Sequence, residues 1–475
     1  MAGMTSRPAC ALILILTGLG IGTGCDRKDA GGGGASSQAS TAPGGGNGPY
    51  DVIQRAYAPY TEADDALGFP MKVRNLSAGP FRFWRGAKEL FYEWARTNTA
   101  DWLADKDAYV RIHGDLHPGN LGLYHSQGKF GRNVAFGAVD FDESAKLPFQ
   151  VELLQGVVTF QLLANQRRVK MEGEQADQII AAMLEAYRAS LESTQTPTEL
   201  LEEDRWVGKL LKDARKRDYE DELKKYVKAE QFVTTVTDKS GQPKEVLRAL
   251  KGRGSFSDAI EEALTHSPDA KDLFKGADIK KKDVEDIAQR TQLESAGSEG
   301  LQKYLVLLAN KKSPEKHLIL YLKQQIPSAA ERVGLIPKDE RAPGKRSSQD
   351  MHDLSRPPSY FNSWCEWNGS SFRLSIKEPW TETLDAADVN TFEDLKHMAR
   401  IWGTVAGSVH RQGEEAVARV KSRLTPELAR LLRERGITYT RKAVEDARQF
   451  NADPRVRAQT AKAEAGLREL SARSR

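Results

Sequence analysis

Between residues 50 and 107 the apolar positions recur at helical spacing, with Leu90, Phe91, Trp94 and Ala95 on one face and Arg and Glu between them. The pattern predicts a helical preface. Inside it, Gly79-Pro80-Phe81-Arg82-Phe83-Trp84-Arg85-Gly86 sets an aromatic and basic cluster among two glycines and a proline, expected to be a loop feeding a helix. The character changes at Ala108. A short strand at 109–112, a Gly/Pro turn, an apolar run at 121–124, a polar turn at 126–133 and a second strand at 134–141 predict a loop and a β-hairpin whose strand ends carry carboxylates. Residues 147–229, dense in Leu, Gln, Lys and Glu, predict several packed helices. Residues 231–291 are polar and charged, with a hairpin turn expected at Asp238-Lys239-Ser240-Gly241 and helices after it.

Strand signals return at 304–308 and 317–322, and again at 361–367 and 372–376, where Asn368-Gly369-Ser370-Ser371 between the runs is a strong hairpin signal. A helix at 391–411 and an Arg-rich helical tail at 414–475 complete the pattern, and no internal repeat is visible. The mixture reads as α+β. At 475 residues the chain is long enough for two or three folding units.

Composition adds exclusions. Seventy Lys and Arg against 66 Asp and Glu leave a formal charge of +4, too near balance for a protein that wraps nucleic acid, so no nucleic-acid partner is expected. The three cysteines, Cys10, Cys25 and Cys365, offer neither a zinc set nor a disulfide framework. Two of them lie in a leader with a short basic start, an apolar stretch at 9–21 and the small-residue run Gly22-Thr23-Gly24-Cys25. The stretch falls short of the roughly 20 apolar residues of a spanning helix. It resembles a bacterial lipoprotein signal with Cys25 as the lipidated residue, although Gly22 stands where leucine is usual; an ordinary secretory peptide or a cytosolic leader are the alternatives. Residues 26–49, rich in Gly, Ser and Ala, read as a flexible tether, and the expectation is an exported, lipid-anchored protein of the cell envelope.

The most specific string is His113-Gly114-Asp115-Leu116-His117-Pro118-Gly119-Asn120, followed about twenty residues later by Val139-Asp140-Phe141-Asp142-Glu143. An Asp, an Asn five residues on and a further Asp at the end of the next hairpin suit phosphoryl transfer to a hydroxyl. One carboxylate orients or deprotonates the acceptor, while an amide oxygen and a second carboxylate hold Mg²⁺ on the nucleotide phosphates. The strand, loop and hairpin are expected to bring Asp115, Asn120 and Asp140 to one end of a small sheet.

This string resembles the catalytic loop of the aminoglycoside phosphotransferase and choline kinase branch of the protein-kinase-like superfamily. The resemblance implies Asp115 as catalytic base, Asn120 as a metal ligand, Asp140 as the principal metal ligand with Asp142 as a second, and His113 as mainly architectural. A closer resemblance, covering most of the chain after the tether, is to a bacterial kinase-like family known only as a domain of unknown function. Its pattern of Ser-Pro-Phe-x-Phe-x-Arg-Gly, Gly-Asp-x-His-x-x-Asn-x-Gly and Asn-Asp-Phe-Asp-Glu is matched by residues 79–86, 114–122 and 139–143, with Gly79 for Ser, Val139 for Asn, and Glu152 where the next helix carries Asp. Arg85 and His117 are weaker substrate candidates within it.

A kinase also needs a glycine-rich phosphate cover and a lysine, and both lie downstream of the loop. Ala296-Gly297-Ser298-Glu299-Gly300 precedes the 304–308 strand, and Lys323 ends the 317–322 strand; the similar family has Gly-Ser-x-Gly and Leu-Gln-x-Lys-Glu there, with Gln324 replacing the glutamate. Glu331 is a weak candidate for the carboxylate that holds the lysine. The implied fold is two-lobed and protein-kinase-like in circularly permuted order with extra helices. Residues 50–230 hold the preface, catalytic loop and helical lobe, residues 231–390 a nucleotide-lobe-like β region with a helical insert, and residues 391–475 the helices that complete the helical lobe. The implied cofactors are ATP or another nucleotide and Mg²⁺, and the acceptor is a small molecule or envelope component. Two alternatives stand beside this: a kinase-like binding protein without turnover, and a hydrolase using His113, Asp115, His117, Asp140 and Asp142 as a metal cluster.

Overall fold

A computed structural model describes residues 48–60, 67–126, 133–237, 241, 243–250, 254–267, 269–277, 284–292, 300–310 and 317–473. The lipidation candidate Cys25, its leader and most of the tether lie outside the described residues. The architecture is α+β: a body of helices and a seven-stranded antiparallel sheet, with two short ribbons carrying the Asp115 and Asp140 motifs.

The helical body is organised around helix Phe149–Arg167, in which every residue from 149 to 164 is buried. A helix without a polar face has to sit among other elements, and this one packs against helices Pro426–Ala452, Phe392–His410 and Pro80–Gly86. The most extensive helix pair is Glu174–Glu192 against Phe392–His410. Its close approach depends on Gly403 and Gly407, where a Cβ would collide with the carbonyl oxygens of Met183 and Tyr187.

The two ends of the described chain meet. Ile53, Val73, Leu76, Phe83 and Leu90 from the first helices share a small core with Phe450 and Val456 from the last two and with Ile326 after a sheet strand. Residues 80–86, expected to be a loop, form helix Pro80–Gly86 with Phe81, Phe83 and Trp84 buried. Proline at the first helical position lacks an N–H that would have gone unbonded there anyway, so here it starts the helix, and burial of three aromatic rings holds it.

The sheet runs, edge to edge, through strands Asn362–Trp367, Ser370–Ile376, Leu318–Gln325, Lys303–Leu308, Val284–Gln292, Pro243–Ala249 and Thr235–Thr237. Asn368 and Gly369 take φ values of 50° and 74°, and Trp367 faces Ser370, so the Asn-Gly loop has two residues and the following strand starts before Phe372. Helices Gly254–Ala263 and Ala270–Ala277 occur as expected, but residues 284–292 form a strand. Ladders on both sides, to 303–308 and 243–249, override the polar local composition.

The region of the motifs also departs from expectation. Tyr109–Ile112 pairs with Ala145–Pro148, and Leu121–His125 pairs with Val134–Ala138, giving two separate ribbons in place of one small sheet. The predicted strand at 134–141 stops at Ala138 because Asp140 adopts left-handed backbone angles, φ 69° and ψ 63°, and residues 141–143 make a tight helical turn that sends the chain back to Tyr109.

Candidate active site

Residues 113–120 bridge the two ribbons, and their backbone is held from behind. The buried carboxylate of Glu152 accepts hydrogen bonds from the backbone N–H groups of His113, at 3.1 Å, and Gly114, at 2.7 Å. It also pairs with His410 Nε2 at 2.7 Å, and His410 Nδ1 lies 2.8 Å from the Tyr187 hydroxyl. Burial opposes ionisation of Glu152, yet His410, His113 and the Gly114 amide hold it below the ordinary range. The longer acid at this position therefore still reaches the loop. Trp402 donates to the Leu116 carbonyl at 2.9 Å, and Asn120 Nδ2 donates to the Asp115 carbonyl at 2.9 Å, closing the loop on itself. His113 Nε2 sits 2.9 Å from the Val139 carbonyl and its Nδ1 accepts from the Asp115 amide at 3.3 Å, tying the two motifs together.

The loop presents Asp115 to a cleft lined also by Arg85, Lys88, Asp140, Asp142, Leu301 and Lys323. At one end Lys88 Nζ lies 3.0 Å from Asp115 and 3.5 Å above the Trp84 ring. Burial raises the Asp115 carboxyl, although Lys88 and Arg85 pull the other way, and burial lowers Lys88 against the pull of Asp115. Arg85 Nε donates to His117 Nε2 at 2.8 Å. That nitrogen must be an acceptor, so His117 is neutral and its approach to Asp115 at 3.6 Å is not an ion pair. Burial, followed by the charges of Arg85 and Lys88, pushes His117 well below its ordinary value.

At the other end Lys323 Nζ bridges Asp140, at 2.7 Å, and Asp142, at 2.5 Å. Lys323 faces Lys303 and Arg373 on the neighbouring strands, which puts three cations in one row across the sheet. Like charges directly opposite destabilise a ladder, so the row is a feature that packing alone does not favour. Burial works against charge at Asp140, but Lys323 and Arg373 hold it well below the usual carboxylate range. Asp142 is raised by burial and by the charge of Asp140 beside it, while the two carboxylates hold Lys323 above its ordinary value despite burial. Glu331 does not serve Lys323: it pairs with Arg346 at 2.5 Å and caps its own helix at Ser328.

The structure thus gathers Arg85, Asp115, Asp140, Asp142 and Lys323 in one cleft. His113, His117 and Asn120 are buried behind the loop surface, at 7% exposure or less. Of the glycine turn, Gly297 and Ser298 lie outside the described residues; Gly300 has φ 88° and the next residue, Leu301, lines the cleft. Lys88, Glu152, Lys303 and Arg373 are the members that motif spacing did not assign to the site. Asp140 and Asp142 are neighbouring hard oxygen donors beside the Lys323 ammonium, a donor set that fits Mg²⁺, which usually takes one or two carboxylates together with substrate phosphates. Among the described residues, no group of three or more His, Cys, Asp or Glu is placed to hold a metal ion, so the five-residue hydrolase cluster is not assembled.

Residues 65–453 match the family described as "Uncharacterized protein conserved in bacteria (DUF2252)". The chain belongs to this family. Nothing among curated proteins or solved structures matches it. The matched span of this family includes every cleft residue named above.

Proposed function

We propose that this protein is a kinase-like phosphotransferase that moves a phosphoryl group from ATP, or another nucleotide, to a hydroxyl acceptor. The observation that carries the reading is the cleft contact of Lys323 with Asp140, 183 positions apart in sequence, opposite Asp115. The sheet bearing Lys323 follows the catalytic loop in the chain, the permuted order that the resemblance implies.

In this reading Asp115 takes the proton of the acceptor hydroxyl. The hydroxyl oxygen bonds to the γ-phosphorus, the bond from that phosphorus to the β–γ bridging oxygen breaks, and its electron pair leaves with the nucleoside diphosphate. Asp140 and Asp142, with Asn120 behind them, are the residues that would hold Mg²⁺, which when bound neutralises phosphate charge. Lys323 moves its ammonium from the two carboxylates to the phosphates as they arrive, and Lys303 and Arg373 keep the field there positive. Glu152 fixes the loop so that Asp115 keeps its place.

A thermal shift with ATP and Mg²⁺ together, against each alone, tests the reading. Nucleotide at 100 times its Kd adds about 2.7 kcal/mol to a two-state unfolding free energy; no gain over the separate additions overturns it. We propose in addition that Cys25 anchors the chain to the envelope membrane. Among the described residues no helix is long and apolar enough to cross a membrane, so Cys25→Ser should move the protein from the membrane to the soluble fraction.

A further inference from the structure

We infer that the acceptor is an anion: a hydroxyl compound carrying a phosphate or carboxylate close to the hydroxyl that is phosphorylated. The inference rests on the phosphotransfer reading and concerns the Asp115 end of the same cleft.

The charges on that end are few and each has a place. Arg85 and Lys88 are the cations lining it, from the turn between helices Pro80–Gly86 and Lys88–Asn98. The carboxylates lining it are Asp115 and Glu143. Glu143 is committed to Arg332 at 3.1 Å and to the Ala329 backbone N–H at 2.5 Å. Asp115 is the base itself and already faces Lys88. A cationic acceptor would meet Arg85 and Lys88 there, and the two carboxylates that could receive it are already engaged, Glu143 by Arg332 and Asp115 by Lys88, an arrangement that disfavours a ligand of like charge.

Lys88 is also placed for more than support of Asp115. Its side chain is only 3% exposed, yet it borders the cleft, between the Trp84 ring and Asp115. A buried pair costs desolvation that its own attraction scarcely repays. An anionic group on the acceptor gives the ammonium a second counter-charge, draws it from Asp115 and leaves that carboxylate to accept the hydroxyl proton. The anion is then held from the turn between the two helices, Arg85 to Lys88, next to the Asp115 that receives the hydroxyl proton.

Calorimetry tests this with glycerol 3-phosphate, glycerol and ethanolamine, titrated into the full chain with and without a non-hydrolysable ATP analogue and Mg²⁺. Glycerol 3-phosphate should bind at least about tenfold more tightly than either other probe. Lys88→Gln should abolish that preference and Lys88→Arg should keep it; should Lys88→Gln fail to fold by its melting curve, Arg85→Gln takes its place with the same expected loss. Preference for ethanolamine or glycerol, no binding of glycerol 3-phosphate, or a preference that depends on Lys323 and not on Lys88 each overturns the inference. If the analogue does not bind, the phosphotransfer reading fails, and the titration without it still decides whether a Lys88-dependent anion site exists.

Discussion

The two ends of the cleft carry the same chemical unit, a lysine ammonium against aspartate, and the protein gives the two opposite properties. At Asp115 one lysine meets one carboxylate, and burial prevails: the acid is raised and the lysine lowered, so both are drawn toward their neutral forms. At Asp140 one lysine meets two carboxylates with Arg373 near them, and charge prevails: Asp140 is lowered and Lys323 raised. The Asp140 side chain is also more open, 40% exposed against 17% for Asp115. The difference separates a carboxyl drawn toward its neutral form, Asp115, from a pair held in its charged form, Asp140 and Lys323, with Asp142 beside them raised by burial and by the charge of Asp140. Proton transfer needs a pKa that can be reached, whereas metal binding needs permanent charge.

The comparison breaks most directly at Asp115. Asp115→Asn should lower turnover about 10³-fold, roughly 4 kcal/mol of barrier, while leaving nucleotide binding nearly intact; single-turnover kinetics alongside calorimetry measure both, and undiminished turnover refutes the assignment. Next in size is the support behind the loop. Glu152→Ala strands His410 and two backbone N–H groups in the interior and should cost about 3 kcal/mol of stability in denaturant unfolding. Its cost should exceed that of Asp142→Ala, since Asp142 lies at the cleft.

At the other end, Lys323→Ala should raise the nucleotide Kd about tenfold without unfolding the chain. Asp140→Ala should make nucleotide affinity insensitive to Mg²⁺, and equal Mg²⁺ dependence in wild type and variant would remove Asp140 from the metal. The smallest effect is a pH shift that sharpens the contrast. Asp115 must be ionised to accept a proton and its carboxyl is raised, so the rate should be present above that raised value and fall as pH drops through it. Lys88 lowers the Asp115 pKa, so Lys88→Met should move the acid limb of kcat/KM upward, by about one pH unit. A limb that moves downward would show that Lys88 does not act on Asp115 by charge.

The carboxylates of the site were legible because their spacing is local. Asp115 and Asn120 share one loop, Asp140 and Asp142 one turn, and strands flanked by Gly, Pro and Asn-Gly signals announced where those turns fall. The helical pattern of residues 147–229 and 391–411 was equally plain, as was the α+β mixture. What the sequence did not disclose depends on groups brought from far along the chain. Lys303 and Arg373 join Lys323 through strand register, and a register is set by pairing between segments, not by either one alone. The strand at 284–292 is likewise decided by its two neighbours.

Residues 79–86 show the same division: glycines and proline announced a break, while the burial of Phe81, Phe83 and Trp84, with Trp84 reaching Thr159 and Phe83 reaching Phe450, turned it into a helix. Sequence by itself determined which chemistry the chain carries, because functional groups and short spacings are properties of neighbours. Tertiary structure decided how that chemistry is tuned. Whether a carboxyl is raised or lowered depends on how many charges surround it and how much water they exclude, and those partners, Lys88 for Asp115 and Lys323 for Asp140, are chosen by packing over 27 and 183 positions.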